Sequence, residues 1–593
     1  MTRSALVFTT AALLSSGHAL ADPHVLVFTI DGLRPDAMEA ASTPFIDALI
    51  ANGTYSSNST TSDLTFSGPG QTDVLTGVHR DQHGAVTNST SDNPSEADPQ
   101  FQIYSGSNMH NTPDFLAIAN AAQPSLQTAR FTGGWNPAHT TRSPGGSEYT
   151  FVGSDAAATA NAAAYYGNNA NDAQVGFIYL AEPDYSGHAN GFHPNVTAYT
   201  DRITQTDAEI GSVITAIQGR ENFLEEDWVF IIAADHGGSI NGGHSGNAVW
   251  QREVPFIVSG NSVRNGELGF DAKNVDAAAT ALTHLGIALP SYMSGHAIGL
   301  NSVADPRPTL GLGHNLVFNG DAEYDRGFTD HGMDQAVSGW EEFRDADFIN
   351  ETSSRNGGQT ATILQYGTSG GFPDAGNPGP SNRGDNFFSA GAGSTSSEMF
   401  QQIDISAMAA QIDAGQIDFD LSGYLGGFSN QNDRSEFFVR FLDANGSELA
   451  TSTVGTVTNS DRGDQTGLLL READGTLASG TRIVEVVLTT TGNDGYADNL
   501  SFSLDWTLTG DINADGLVGV EDLDVLLANW GDSVTRSSLV NGDLDGDGVV
   551  GQGDLDAVLN NWSDGTPPDV NVPEPGSLAL LALGGMALLR RRR

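Results

Sequence analysis

The chain of 593 residues contains no cysteine. Disulfides, thiolate nucleophiles and Cys-based zinc sites are excluded, so any metal must be held by Asp, Glu, His or hydroxyl oxygens. Basic residues are scarce: 25 Lys and Arg stand against 73 Asp and Glu, a formal net charge of −48. A surface of that sign repels a phosphate backbone, and no nucleic-acid-binding surface is expected. Charged residues together make up only 17%, while hydrophobic residues reach 38%. That is enough apolar material for packed cores and argues against global disorder. The apolar stretch near the C-terminus, Leu578 to Leu589, falls short of the about 20 residues that a stable membrane span needs. The length is consistent with about three or four domains.

Both ends carry the pattern of processing signals. Arg3, an apolar run from Ala5 to Leu14, and Ala19-Leu20-Ala21 fit a secretory signal over residues 1–21 with an Ala-x-Ala cleavage site. At the other end, Thr566-Pro567-Pro568 begins a linker. Val572-Pro573-Glu574-Pro575 follows, then the apolar stretch, then Arg590 to Arg593. This tripartite order over 565–593 resembles the PEP-CTERM sorting tail of Gram-negative exported proteins. The resemblance implies export to the cell surface, periplasm or medium, with transient membrane association before the tail is removed. A simple membrane anchor is the alternative.

Between these ends three patterns follow one another. From residue 22 to about 305, buried-strand runs alternate with helical segments. Val25 to Ile30, Val175 to Leu180 and Trp228 to Ile232 are continuous apolar runs, as for strands buried on both faces. Thr43-Pro44 opens a helix that Gly53 can close. Ile203, Ile210, Val213, Ile214 and Ile217 share one helix face. The alternation predicts an α/β domain with a mostly parallel sheet and helices on both faces. From 314 to 506 the chain is rich in Gly, Ser and Asn, with short strand-like runs that read as a β-sandwich. It opens with Asn315-Leu316-Val317-Phe318-Asn319-Gly320 and closes with Tyr496-Ala497-Asp498-Asn499-Leu500. That pairing resembles a galactose-binding-like jelly roll, which implies a cell-surface polysaccharide as ligand; a spacer without ligand is the alternative.

Four separated segments of the α/β part carry ligand-type residues. Asp31 follows the first apolar run. Asp184 follows another, with His188 four residues on. Asp235-His236 follows the third, and His244 comes soon after. In open α/β sheets ligands gather at the carboxyl ends of strands. Three aspartates gathered there would repel one another unless cations sat between them. The mixture of Asp and His suits zinc or manganese better than calcium.

The ordered set Asp31-Gly32, Ser67, Asp184-x3-His188, Asp235-His236-Gly237 and His244 resembles the alkaline phosphatase superfamily, in its type I phosphodiesterase/nucleotide pyrophosphatase branch. The resemblance covers about half the chain, from Val25 to Val303. It implies two divalent transition metals, one held by Asp31, Asp235, His236 and the Ser67 oxygen, the other by Asp184, His188 and His244. It also implies Ser67 as nucleophile, ten residues before Gly77, with Thr65 as the nearby rival. Pro69 favours a helix start just after Ser67, whose free amides suit phosphate oxygens. Asn88 follows His83-Gly84 at the step where the branch has a phosphate-binding amide, and His83 is expected to shape the turn rather than bind metal. The segment between Asn88 and Gln174 is expected to form much of the substrate wall. The implied activity is hydrolysis of small phosphate mono- or diesters through a phosphoseryl intermediate. A sulfatase is the rival within the superfamily, but Gln71 stands where its Cys/Ser-x-Pro-x-Arg motif has Arg. A phosphonate hydrolase shares the same site, and an inactive cell-surface scaffold is the rival from another class.

An internal repeat follows the sandwich. Asp511, Asn513, Asp515 and Asp522 fall at positions one, three, five and twelve of a calcium loop, with Gly516 at six. Asp543, Asp545, Asp547 and Asp554 repeat the spacing thirty-two residues later, with Gly548 at six. Oxygen ligands at those offsets wrap one hard cation, and the Gly permits the sharp turn. Paired loops of this form, each followed by a Leu-rich helix, resemble a type I dockerin over 509–564, which implies bound calcium and a cohesin-type partner.

Overall fold

The run Val25–Ile30 points alternate side chains to two opposite sides, and both sides are buried. In the computed structural model it belongs to the centre of an eight-stranded sheet. The structure describes residues 22–62, 64–86, 88, 112–134, 148–268, 272–332, 335–341, 361–391, 396–492, 494–506, 510–513, 517–534, 542–545 and 547–563. The expected signal segment, Asp515, Gly516 and the sorting tail lie outside the described residues.

The first sheet comprises β1 (Asp22–Ile30), β2 (Gly53–Thr60), β3 (Gln127–Gly133), β4 (Glu148–Val152), β5 (Ala173–Leu180), β6 (Glu226–Ala233), β7 (Glu253–Gly260) and β8 (Gly266–Glu267). Their order is β4-β3-β5-β1-β6-β7-β2-β8. Neighbours are parallel from β4 through β6, and β2 pairs parallel with β8. Only β7 runs antiparallel to its neighbours, β6 and β2. The sheet is therefore mostly parallel, as the sequence predicts.

Among the described residues, ten α-helices join these strands: α1 (Pro35–Ala40), α2 (Pro44–Ala51), α3 (Ser67–Thr76), α4 (Arg80–His83), α5 (Phe115–Ala122), α6 (Asp155–Tyr166), α7 (Glu182–Asn190), α8 (Thr197–Gln218), α9 (Val249–Arg252) and α10 (Asp276–His284). Leu26, Phe28 and Ile30 pack with Ile46, Ala158, Ala162 and the isoleucine face of α8. Val25 and Val27 pack on the other side with Val74, Phe115, Ala277 and Ala281. Helices thus cover both faces of the sheet.

α2 opens at Pro44 with Thr43 at its N-cap, as the sequence predicts, but its C-terminal end and its capping differ. The helix stops at Ala51, with Asn52 as its C-cap, and Gly53 instead begins β2. The Thr43 hydroxyl donates to Asp47. The helix amides of Phe45 and Ile46 donate to the carboxylate of Asp207 in α8. The cap comes from a distant helix, which no local motif reveals.

Two antiparallel sheets follow, one of five strands and one of four, enclosing a core that includes Trp340, Phe388, Phe419, Phe437 and Phe502. The opening and closing motifs lie side by side: Leu500 N–H donates to Gly320 O at 2.7 Å, and Leu316 N–H to Phe502 O at 2.8 Å. The chain's single lysine, Lys273, is buried beside α10 and donates to Asp325 of the opening segment at 2.6 Å. Arg326 donates to Asp81 of α4. The sandwich is thus docked on the layer that contains α3 and α4. The C-terminal repeats place helices Val520–Ala528 and Gln552–Asn560 around Ile512, Val518, Leu526, Val550 and Val558. Among the described residues, no helix is long and apolar enough to cross a membrane.

Candidate active site

Strands β5, β1 and β6 are adjacent, so their carboxyl ends present their following residues to one spot. Asp31 directly follows β1, and Asp235-His236 comes one residue after the end of β6. Asp184 and His188 lie in α7 at i and i+4, on one helix face. Two glycines allow these segments to close up. Gly32 turns the chain at φ +65°, and a Cβ there would meet Phe192 Cε1 at 2.8 Å and Asp184 Cα at 3.0 Å. A Cβ on Gly70 would meet Asp235 O at 2.4 Å, so α3 lies tight against the end of β6.

Seven side chains singled out from the sequence come together there. Asp31, Asp235 and His236 form one cluster, and Asp184, His236 and His244 another, with the ligand-type atoms of each within 4.8 Å of one another. His236 Nε2 stands 3.3 Å from Asp31 Oδ1 and 3.6 Å from Asp235 Oδ2. His188 Nε2 lies 3.4 Å from Asp184 Oδ2 and 3.1 Å from His244 Nε2. The Ser67 Oγ lies 3.3 Å from His236 Nε2. His188 is 47% exposed and marks the solvent side, whereas His236 is fully buried.

Backbone carbonyls orient all three imidazoles. His236 Nδ1 lies 2.8 Å from Gly237 O, His188 Nδ1 2.8 Å from Gly242 O, and His244 Nδ1 2.5 Å from Thr65 O. A carbonyl accepts only, so each Nδ1 carries the proton and each Nε2 turns a lone pair into the cluster. Burial pushes the Asp31 carboxyl well above its ordinary range, and repulsion from Asp235 and Asp184 adds to this. Burial likewise raises Asp184, against the pull of His236 and His188. Burial and the neighbouring His236 push His244 down to about 3. Asp31 Oδ1, Asp184 Oδ1 and Asp235 Oδ2 are buried without a hydrogen-bond partner. Orphaned carboxylate oxygens facing imidazole lone pairs fit divalent cations.

Ser67 is the first residue of α3, whose N-cap is Phe66. Its hydroxyl is turned to His236 rather than spent on the helix end. Thr65 is engaged elsewhere: its hydroxyl donates to Gly246 O at 2.9 Å and accepts from Ser245 N–H at 2.8 Å. Ser245 is held at φ +85°, a strained value for a non-glycine residue. Thr65 thus anchors the loop that carries His244. The helix-end amides differ from the expectation, because Gly68 N–H already donates to Asn88 Oδ1 at 2.6 Å. His83 is buried and bonded to Asp73, away from the ligand cluster. Gln71 is also fully buried. Residues 89–111 and 135–147 of the expected substrate wall lie outside the described residues.

Sequence reading misses three supports. The Tyr179 hydroxyl donates to Asp31 Oδ2; a phenol in an otherwise apolar strand was the available signal. Buried Arg34 donates to Phe192 O at 2.8 Å and Gly238 O at 3.0 Å, fastening the turn after Asp31 to the segment after His236. Phe192 has its ring 5.4 Å from that of His188 and 6.1 Å from that of His244. Nothing local marks it.

In the C-terminal repeats, Asp543, Asp545 and Asp554 offer carboxylate oxygens within 4.8 Å of one another. Asp547 Oδ1 instead accepts from Val549 N–H. Asp522 accepts from the amides of Ile512, Asn513 and Gly519, and Asp554 from those of Leu544, Asp545 and Gly551. Both position-twelve carboxylates therefore brace their loops. Asp511 is buried and accepts from Gln416 of the sandwich.

Residues 25–245 match the model of the type I phosphodiesterase / nucleotide pyrophosphatase family. That family's name denotes hydrolysis of phosphate esters. Residues 571–593 match the PEP-CTERM protein-sorting motif, which marks export and cell-surface sorting in Gram-negative bacteria. Among curated proteins, the GPI ethanolamine phosphate transferase 1 of Candida glabrata is 25% identical over 229 residues, 37% of this chain and 24% of its own length. The 2,3-bisphosphoglycerate-independent phosphoglycerate mutase of Clostridium tetani is 28% identical over 123 residues, 20% of this chain and 22% of its own. The chain spans less than a quarter of either relative. Similar solved structures include murine ectonucleotide pyrophosphatase / phosphodiesterase 5, with 16% identity, TM-score 0.37, and coverage of 45% of this chain and 96% of that one. A 2-O GAG sulfatase shows 14% identity, TM-score 0.36, and coverage of 48% and 76%. A protein in the alkaline phosphatase superfamily from Vibrio parahaemolyticus shows 16%, 0.36, 47% and 69% in the same order.

Proposed function

We propose that this chain is an exported, metal-dependent phosphoesterase that hydrolyses small phosphate mono- or diesters through a phosphoseryl intermediate on Ser67. The observation that carries this reading is the Ser67 hydroxyl, 3.3 Å from His236 Nε2, beside three orphaned carboxylate oxygens and three inward-facing imidazole nitrogens. The family match over residues 25–245 supports the same chemistry. Both curated relatives are named for enzymes that handle phosphate groups.

Asp31, Asp235, His236 and Ser67 would hold one zinc or manganese ion, and Asp184, His188 and His244 the second. When bound, these ions supply a lowered pKa for the serine hydroxyl and neutralise charge on the phosphoryl oxygens. Ser67 Oγ forms a bond to phosphorus as the ester P–O bond breaks, and the alcohol leaves with a proton. A water then attacks phosphorus, the Ser67 O–P bond breaks, inorganic phosphate departs from a monoester or a phosphate monoester from a diester, and the Ser67 hydroxyl is restored. Asn88, whose oxygen is taken by Gly68 N–H, has its amide N–H groups left to donate to a phosphoryl oxygen.

The test is one panel: nitrophenyl phosphate, bis-nitrophenyl phosphate, a phenylphosphonate ester and nitrophenyl sulfate, each with zinc or manganese. The wild-type protein is expected to carry about two transition-metal ions per chain and to turn over a phosphate ester. Ser67→Ala is expected to lose at least about 10³-fold in kcat with the metal retained. Full activity in the variant, or turnover of the sulfate ester alone, contradicts the proposal.

A further inference from the structure

We infer that the buried pair Asp73–His83 is a positioning device that holds Asn88 in place beside Ser67; the inference rests on the phosphoesterase reading above. Asp73 lies in α3, the helix that Ser67 begins. His83 ends α4, and both side chains are fully buried, with His83 Nε2 2.7 Å from Asp73 Oδ1. The tautomer is fixed by the second ring nitrogen. Ala85 N–H donates to His83 Nδ1 at 2.9 Å, so Nδ1 is the acceptor and Nε2 carries the proton to Asp73. The ring therefore ties the backbone just past α4 to the middle of α3. Gly84 reverses the chain there at φ +75°.

Four residues beyond this turn, Asn88 Oδ1 accepts from Gly68 N–H at 2.6 Å. The two ends of the 83–88 step are thus bonded to the same helix, one at Asp73 and one at Gly68. Asn88 itself is exposed, so its own packing does not fix it. With its oxygen committed to Gly68, its amide nitrogen can only face away from that bond. Gly68 adjoins Ser67, which puts the Asn88 donor at the edge of the nucleophile. The ligand cluster accounts for neither Asp73 nor His83: both stay out of its distances, and His83 has no lone pair left for a cation. Their bonds act on Asn88 through backbone geometry, so neither touches substrate.

The test is a double-mutant cycle on a phosphoester substrate with the full chain, using His83→Ala, Asn88→Ala and the pair. Asn88→Ala is expected to lower kcat by about 10²–10³-fold, the range for removing one oxyanion donor. His83→Ala is expected to lose most of that factor with metal content unchanged. Because His83 acts through Asn88, the double variant is expected to be no worse than Asn88→Ala alone. His83→Gln, which offers one donor and one acceptor, is expected to recover part of the loss. Wild-type kcat in His83→Ala overturns the inference, as does a fully additive double variant. If His83→Ala does not fold, the cycle is run with His83→Gln and His83→Leu, and equal kcat in these two overturns it. Failure of the phosphoesterase reading shows differently, as activity that survives Ser67→Ala; the positioning role then falls with it.

Discussion

Each histidine of the site gives its Nδ1 proton to a backbone carbonyl, and one of those carbonyls belongs to Thr65. This separates the roles of two neighbouring hydroxyls that the sequence leaves in competition. The Ser67 hydroxyl faces the cluster, and that of Thr65 faces the His244 loop. Thr65→Val removes the bonds to Gly246 and Ser245 and loosens that loop. The expected outcome is a weaker metal affinity by about 10-fold, the lower range for groups that orient metal ligands. Turnover at saturating metal is expected to be kept. Titration of activity against free zinc checks this, and abolished turnover at saturating metal would make Thr65 the nucleophile. The strand-then-ligand pattern of Asp31, Asp184 and Asp235 was legible because it is written along the chain. The Thr65 bond was not, since its partner lies 179 residues away.

At the scale of elements, the three central strands were legible from their continuous apolar runs, and the face of α8 from its isoleucine spacing. The cap of α2 was not, because Asp207 supplies it from another helix. The closing strand of the sandwich, Gly495–Trp506, carries a further consequence. Asp498 in this strand is buried, accepting from the Tyr366 hydroxyl and from Asn499 N–H, each at 2.7 Å. Burial, opposed in part by these bonds, pushes its carboxyl from 3.8 up to about 8. The folded chain then holds this proton more tightly than the unfolded chain. The resulting stabilisation is fully present below the unfolded value and is lost as pH rises through about 8. Asp498→Asn keeps an acceptor for Asn499 and an amide beside Tyr366. Thermal melts are expected to show the variant gaining on wild type between about pH 4 and about pH 8. Parallel melting curves for the two proteins across that range would refute this.

For the whole molecule, the junction between the α/β layer and the sandwich includes the chain's single lysine. Lys273 donates to Asp325, which also accepts from Asn319 Nδ2 and from Ser338 N–H and Oγ–H. Sequence reading separates the two domains at a composition change and gives no sign of this contact, because Lys273 and Asp325 are 52 residues apart on opposite sides of it. Lys273→Met leaves the Asp325 charge buried without its ion partner, at an expected cost of about 3–5 kcal/mol. Urea denaturation with a midpoint equal to that of wild type would show that the domains do not depend on the pair. The same docking sets the sandwich against α4, beside the layer that presents Ser67, so the Ser67 cluster and the sandwich form one supported unit.

The most direct measurement of the central claim is acid quenching during turnover of a phosphate ester, followed by peptide mass spectrometry. The expected result is a phosphoryl group on Ser67 that appears with substrate, disappears when substrate is exhausted, and is absent from Ser67→Ala. Steady turnover with Ser67 unmodified, or a phosphoryl group on Thr65 instead, would contradict it.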